Sequence, residues 1–538
     1  MANRYWVGGT ASWDGTAGTK WALTSGGAGG QAVPTSADDV FFDANSGANT
    51  VTIATGNTGA KSITCTGFTG TLAGSAAITV AGNVTLVAGM TVTYTGTITI
   101  SATSTITSAG KSLGGLTIDG VGITATLADN YSTTAGTCTL TNGTLDINNK
   151  ALNAYAFNTD NSNTRTLAFG TGSITATVPG SNSINIATAT SLTITGTPVF
   201  ILTNATSSGA TIGNAAAGYF TEANALPVSV GPSTGAAGFY FTNTGTLFLV
   251  GVFGSVNLTG LTGTSLGQPL TIYGDLTLGS GGTYTGAATT RFGATSGTKT
   301  VTTNGATIDC PINFNGAGGT WKLIDGLTQG STRALTHTNG TIDLNGKTLT
   351  VGTQYVTAAG TKNLTFNGGT VVCPAATTTA WNNAAPTNFT TTAGTGTGKI
   401  SMTAATAKTF VGGGSTYNCT LSNDGAGALT ISGSNTFTTL ANGVQPTTFT
   451  FTAGTTTTVT NWSINGTAGN LVTIGSATAA SHTLFKASGI VSANYLSISR
   501  STATGGGSWY AGVNSTNGGN NVGWIFAAPS TSNFFLFF

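Results

Sequence analysis

The sequence predicts an all-β fold, a right-handed parallel β-helix (β-solenoid) with distinct N- and C-terminal caps. Three observations predict it. The composition is that of short strands joined by tight turns: 81 glycines, abundant Thr, Ser, Asn and Ala, and only 6% charged residues in 538. Apolar and polar residues alternate, as in Thr91-Val-Thr-Tyr-Thr-Gly-Thr-Ile-Thr-Ile100 and Ser191-Leu-Thr-Ile-Thr195, which turns one face of a strand inward and one outward. The middle of the chain is duplicated, with related segments 192 to 197 residues apart, the signature of stacked repeats.

Residues 1–50 read as an N-terminal cap or attachment region. Trp6, Trp13 and Trp21 fall here, followed by Asp38, Asp39 and Asp43. An open coil exposes core and strand edges, so a distinct sequence at the end is expected. Residues 51–270 form the first solenoid block and 271–484 the second. Thr141-Asn-Gly-Thr-Leu-Asp-Ile-Asn-Asn-Lys-Ala-Leu152 aligns with Thr338-Asn-Gly-Thr-Ile-Asp-Leu-Asn-Gly-Lys-Thr-Leu349 at eight of twelve positions. The offset of 197 persists through Thr164–Phe169 against Thr361–Phe366, while Gly82–Leu86 pairs with Gly274–Leu278 at 192. A coil of about 20 residues with a rise of about 4.8 Å makes residues 60–485 some 20 coils, on the order of 100 Å. Residues 485–538 read as a C-terminal cap plus an apolar tail. Its Phe534, Phe535, Leu536, Phe537 and Phe538 are the predicted assembly contact, and Trp6, Trp13 and Trp21 the predicted N-terminal attachment residues. Almost no helix is expected, apart from one short turn around Tyr219–Ala225.

The charges exclude several classes. Net charge is +2, and the sixteen basic residues are scattered singly from Arg4 to Arg500. Nucleic-acid binding needs clustered Lys and Arg to displace counterions. No run of about 18 apolar residues exists to span a membrane. No apolar segment follows Arg4, so a secretory leader is not expected.

Catalytic constellations are sparse. Glycoside hydrolysis needs two carboxylates about 5 to 9.5 Å apart. Of fourteen acids, Glu222 is the sole Glu. Asp119/Asp129, Asp146/Asp160 and Asp309/Asp325 are the pairs that stacking would juxtapose. Asp129 and Asp146 recur as Asp325 and Asp343 in the duplicate at turn-like sites, where an Asp bonds its own backbone. His337 replaces Leu140 of the first block, which predicts an outward or semi-buried packing role; the other histidine is His482. The five cysteines, Cys65, Cys138, Cys310, Cys373 and Cys419, match no metal or redox spacing and read as inward fillers. Asp38, Asp39 and Asp43 read as capping residues rather than a Ca²⁺ loop. No cofactor, no metal and no catalytic residue is predicted. Thr-x-Thr at 91–93, 97–99 and 193–195 evokes ice-binding arrays, but it is intermittent.

Both ends resemble known sequences. Ser12-Trp-Asp-Gly, Lys20-Trp21, Pro34 and Asp38-Asp-Val-Phe-Phe-Asp43 are similar to the opening of β-helical passenger-like proteins of bacteria and phages. Asn461-Trp-Ser-Ile-Asn-Gly, Gly505-Gly-Gly-Ser-Trp-Tyr and Asn520-Asn-Val-Gly-Trp-Ile-Phe526 resemble the C-terminal coils of large phage proteins. The resemblance implies a β-helical phage virion protein of the tail fibre, tailspike or capsid fibre type. It implies a homotrimer in contact with other virion proteins, which meets a host surface glycan and is made in the host cytoplasm. It carries no catalytic residues. A glycan-depolymerising tailspike and a bacterial surface adhesin are the alternatives; the adhesin lacks support from any translocator barrel in this sequence.

Overall fold

The computed structural model describes residues 2–133, 135–212, 220–242, 245–375 and 379–529. The chain divides into two compact units, Met1–Leu270 and Thr271–Phe538. Both are built of parallel coils, a β-solenoid of about 21 turns in all with almost no helix. Among the described residues the helical element is one 3₁₀ turn, Ala44–Ser46. The turn expected around Tyr219–Ala225 is, over its described part, a reverse turn. The Ala225 N–H donates to the Thr221 carbonyl at 2.8 Å, and the Asn224 side chain accepts from the Thr221 N–H at 2.7 Å. Tyr219 lies outside the described residues.

In the first unit the strands stack in three columns. One runs Ile78–Val80, Ile98–Ile100, Leu116–Leu127, Thr137–Asp146, Ala156–Asn158 and Ile184–Ile186. The second takes the far ends of Leu116–Leu127 and Thr137–Asp146, then Arg165–Ala168 and Leu192–Thr195. The third runs Tyr131–Thr133, Ala151–Ala154, Ser173–Ala176, Val199–Leu202 and Gly238–Phe241. The long strands turn a corner, and their register shifts at Ile118/Asp119 and Asp119/Thr124.

Alternation makes the core. Ile78, Ile98, Leu116, Cys138, Phe157 and Ile184 occupy one inward column, all buried. The residues beside them point out, so Thr79, Thr99, Thr117 and Thr139 stack as an outward column. Coil length varies more than the sequence pattern predicts. Residue 98 pairs with 116, 362 with 389 and 200 with 239, giving steps of 18, 27 and 39 residues. The register constrains the strand triplets, while the connections between them take up the differences.

The second unit repeats the architecture. Its Ile312–Leu323 and Ala334–Asp343 have the same lengths, twelve and ten residues, as Leu116–Leu127 and Thr137–Asp146 of the first. The latter pair also shares one alternation of buried and half-buried positions throughout. Its core is richer in rings. Leu335, Tyr355, Trp381, Phe410 and Ile431 are register partners in sequence. Tyr355 and Trp381 stack with centroids 4.2 Å apart, and Trp381 and Phe410 at 5.5 Å. Such stacking follows from equal side chains one strand spacing, about 4.8 Å, apart.

The duplicated twelve-residue motif now has a physical account. Its glycine, Gly143 or Gly340, has φ of 79° or 82° at the corner. Its Asp, Asp146 or Asp343, accepts from the backbone N–H of Asn148 or Asn345 at 2.9 Å. That Asn is left-handed, with φ of 48° or 49°, a conformation Asn tolerates. Its amide donates to the previous coil, at Leu127 (3.1 Å) or Leu323 (2.9 Å). A Cβ on Gly340 would lie 2.4 Å from the Gly316 carbonyl oxygen, whereas one on Gly305, at a nearly equal φ of 80°, would meet nothing within 4 Å. Gly340→Ala is therefore expected to lower unfolding free energy by at least about 2 kcal/mol and Gly305→Ala by about 1 kcal/mol, read as shifts in urea midpoints. Equal shifts would show that the corner is not sterically closed.

Candidate functional site

The N-terminal region builds an aromatic plug. The strand Asn3–Trp6 pairs with Trp21–Ala22 antiparallel and with Asp39–Phe41 in parallel. This lays a covering segment along the first strand. Trp6, Trp13 and Trp21 are fully buried. Their rings meet edge to face, Trp6 to Trp21 at 5.0 Å and Trp13 to Trp21 at 5.3 Å, around Phe42. The indoles expected to attach are thus the plug's core, and any contact of this region is made by the chain around them.

The acidic residues here hold the plug. Asp38 accepts from the N–H of Ala2 (2.9 Å) and from the N–H and hydroxyl of Thr35 (3.0 Å each). Burial raises its pKa, but the Thr35 and Ala2 donors outweigh this and hold the carboxyl below its ordinary value. Asp39 pairs with Lys61 at 3.0 Å. Asp43 caps the 3₁₀ turn, whose Ser46 hydroxyl donates to the Trp6 carbonyl at 2.8 Å.

The other paired acids are also engaged. Asp129 accepts from the N–H groups of Ser108 (2.8 Å) and Ala109 (2.6 Å), and Asp325 likewise from Thr303 (2.8 Å) and Asn304 (2.6 Å). Both bond the neighbouring coil, not their own turn as expected. Asp146 and Asp343 do bond their own turns. Asp119 accepts from the Asn142 amide at 2.6 Å, Asp160 from the Thr188 N–H at 2.8 Å, and Asp309 from Arg333 at 2.9 Å. Among the described residues, no three His, Cys, Asp or Glu side chains converge as metal ligands. All five cysteines are free and buried, and burial pushes the Cys65, Cys138 and Cys373 thiols up to about 12. A depression of about 160 Å³ lined by Thr458, Val459, Thr460, Lys486, Ala487 and Ser488 is small for an organic ligand.

Three cations are inside, which the scattered placement of basic residues did not disclose. Arg165, Lys362 and Lys408 are each 1% exposed. Arg165 donates to the carbonyls of Thr159, Asn163, Thr190 and Thr188. Lys362, its duplicate, donates to Gly360 (2.9 Å) and Thr387 (3.3 Å). Lys408 donates to Ala404 (2.7 Å), Gly427 (2.8 Å) and Gly425 (3.3 Å), and burial lowers its pKa to about 8 against the pull of Asp424. Each gathers carbonyls of the corners between strands. The signal was phase: Arg165 alternates with Leu167 and Phe169, all buried.

His337 corrects the expected outward or semi-buried role, since it is fully buried. It sits in the phase of Leu140, also buried, and alternation carries that position inward whatever residue occupies it. Its Nδ1 lies 2.7 Å from the Tyr355 hydroxyl and its Nε2 3.0 Å from the Gly340 carbonyl. A neutral ring with its proton on Nε2 satisfies both. The first unit has Leu140 here and, in the place of Tyr355, Phe157, which pairs with Cys138 as Tyr355 pairs with Leu335. One unit fills the two positions with buried apolar side chains, the other with a hydrogen-bonded pair.

The outward Thr column of residues 79, 99, 117 and 139 ends at Asn158, and Asp119 flanks it, so it lacks the broad Thr face that ice binding needs. At the C-terminal end Trp462, Trp509 and Trp524 form an edge-to-face trio at 5.1 to 5.9 Å. The predicted assembly residues Phe534, Phe535, Leu536, Phe537 and Phe538 lie outside the described residues. No family model, curated protein or solved structure matches this chain.

Burial lowers His337 and His482 to about 4. The unfolded chain therefore binds protons between pH 6.5 and 4 that the folded chain does not. With respect to these two imidazoles the stability is complete above pH 6.5, and it is expected to fall as pH drops through that window, by up to about 3 kcal/mol per imidazole. His337→Leu alone strands the Tyr355 hydroxyl, at about 1–3 kcal/mol. His337→Leu with Tyr355→Phe rebuilds the first unit's pair and is expected to cost less than the two single changes summed. Additive urea-midpoint shifts, or an unchanged acid slope in the double variant, would contradict this reading.

Proposed function

We propose that this chain is a structural protein of a bacteriophage virion, a β-solenoid fibre or spike that assembles as a homotrimer and attaches to the host surface or decorates the particle. The observation that carries the reading is the use of the polar groups. Asp129, Asp325, Asn148, Asn345, Arg165 and Lys408 all tie one coil or corner to another. Within each unit the coils are thereby tied to one another, which suits a fibre. The resemblance of both ends to phage β-helical proteins supplies the virion assignment, and the ends are where attachment would lie.

Immunogold labelling and mass spectrometry of purified particles test the reading. The 53.1 kDa chain is expected in washed particles, on a projecting feature. Its absence from particles, or its presence on the surface of uninfected cells, would favour an adhesin and overturn the proposal. The purified protein is expected to leave host surface glycan at its original size; released oligosaccharides would make it a depolymerising tailspike instead.

A further inference from the structure

The two histidines are both fully buried but are held differently. Both ring nitrogens of His337 face oxygen, the Tyr355 hydroxyl and the Gly340 carbonyl. Among the described residues, neither nitrogen of His482 has a hydrogen-bond partner. Its ring lies on Phe451, with centroids 4.5 Å apart and planes 24° from parallel. A Phe face attracts a cation, but it does not take the two N–H groups that a protonated ring would present. Buried donors without acceptors and a buried charge without a counterion both disfavour the closed structure.

No acid stands near to compensate. His482–Phe485 pairs with Thr456–Ser463 on one side and Ser501–Thr504 on the other, and Phe451 belongs to Thr447–Phe451, which pairs with Val472–Ser476. Apart from His482, none of these strands holds a titratable side chain. The charged residues flanking them are cations, Lys486 and Arg500. No Asp or Glu follows Asp424 in the sequence, and Asp424 is paired with Lys399 at 2.6 Å.

The cover over His482 is also thin. His337 sits in Ala334–Asp343, laddered by strands on both sides. The far side of Ser501–Thr504 is met, among the described residues, by a single bridge from Thr502 to Val522. The Asn521 side chain accepts from the Ser501 N–H at 3.0 Å, and the Trp524 indole N–H donates to the Ser501 hydroxyl at 3.0 Å. Thinly paired segments open at lower free energy than those laddered on both sides.

We propose that His482 is an acid-operated latch: on protonation its cover, Ser501–Thr504 with Asn521, Val522 and Trp524, opens and hydrates the ring. The closed form binds the proton more weakly than the open one, as burial dictates. Closure is therefore complete above pH 6.5 and weakens as pH falls from there towards 4. The latch does not depend on the virion reading.

Hydrogen exchange of the full chain, read by mass spectrometry and corrected for the intrinsic pH dependence of exchange, tests it. Between pH 7.5 and 4.5, peptides within 501–524 are expected to lose protection at least tenfold, and peptides within 116–146 of the first unit to keep theirs. His482→Phe, which keeps an aromatic ring on Phe451, is expected to abolish the loss; His337→Leu with Tyr355→Phe is expected to leave it. Equal loss in both regions, or loss that persists in His482→Phe, overturns the latch. Should that variant not fold, the wild type decides: loss that develops between pH 6.5 and 4 supports the latch, and loss that begins only below pH 4, or none, overturns it.

Discussion

The structure depends on one interaction, the parallel backbone ladder that joins each strand to its register partner in the next coil at about 4.8 Å. It fixes what every column of side chains can be. A column of like charges at that spacing would repel by about 1 kcal/mol per neighbouring pair even in water, and the repulsion would accumulate with every coil. The chain's answer is a surface of Thr, Asn and Ser with 6% charged residues. Three ion pairs set opposite charges on adjacent coils, Lys61–Asp39, Arg333–Asp309 and Lys399–Asp424. Each pair is half-exposed and contributes little stability of its own, but it avoids the cost of a like-charged column.

Inside, the same ladder leaves the corners as the weak points, because strands end there and their carbonyls lose partners. Buried carbonyls without donors are costly. Arg165, Lys362 and Lys408 meet them with cationic donors, and Asp129 and Asp325 meet the orphan N–H groups. The two units reach the same geometry with different chemistry. Arg165 is exchanged for Lys362, and Leu140 with Phe157 for His337 with Tyr355. Duplication kept the register and let paired positions drift together, because a change at one column member alters what its neighbour must satisfy.

Much of the fold was legible because period-two alternation and the 197-residue offset are properties of the sequence itself. The inward cysteines were legible for the same reason. His337 was misjudged because residue type was weighed above phase; at the Leu140 position it falls on the inward face, as Arg165 does in Arg-Thr-Leu-Ala-Phe169. Coil length was not legible, since Gly- and Thr-rich connections of 18- and 39-residue coils look alike. Asp129 was placed at a turn correctly but given the wrong partner, because a bond to a residue 21 positions earlier has no local sequence signature. The Trp6, Trp13 and Trp21 cluster marked the end of the solenoid, but aromatic content alone does not distinguish a buried plug from a docking surface.

The central claim is the register, and disulfide trapping reads it directly. Thr117 and Thr139 are register partners on the outward face, and Thr99 is one coil before Thr117. Partners about 4.8 Å apart fall within disulfide reach, and residues two coils apart do not. With Thr117→Cys and Thr139→Cys together, mild oxidation of the folded protein is expected to close a bond, seen as a two-hydrogen mass loss and a linked peptide pair. With Thr99→Cys and Thr139→Cys it is expected not to. Closure of the second pair in preference to the first would contradict the stacked, in-register coil.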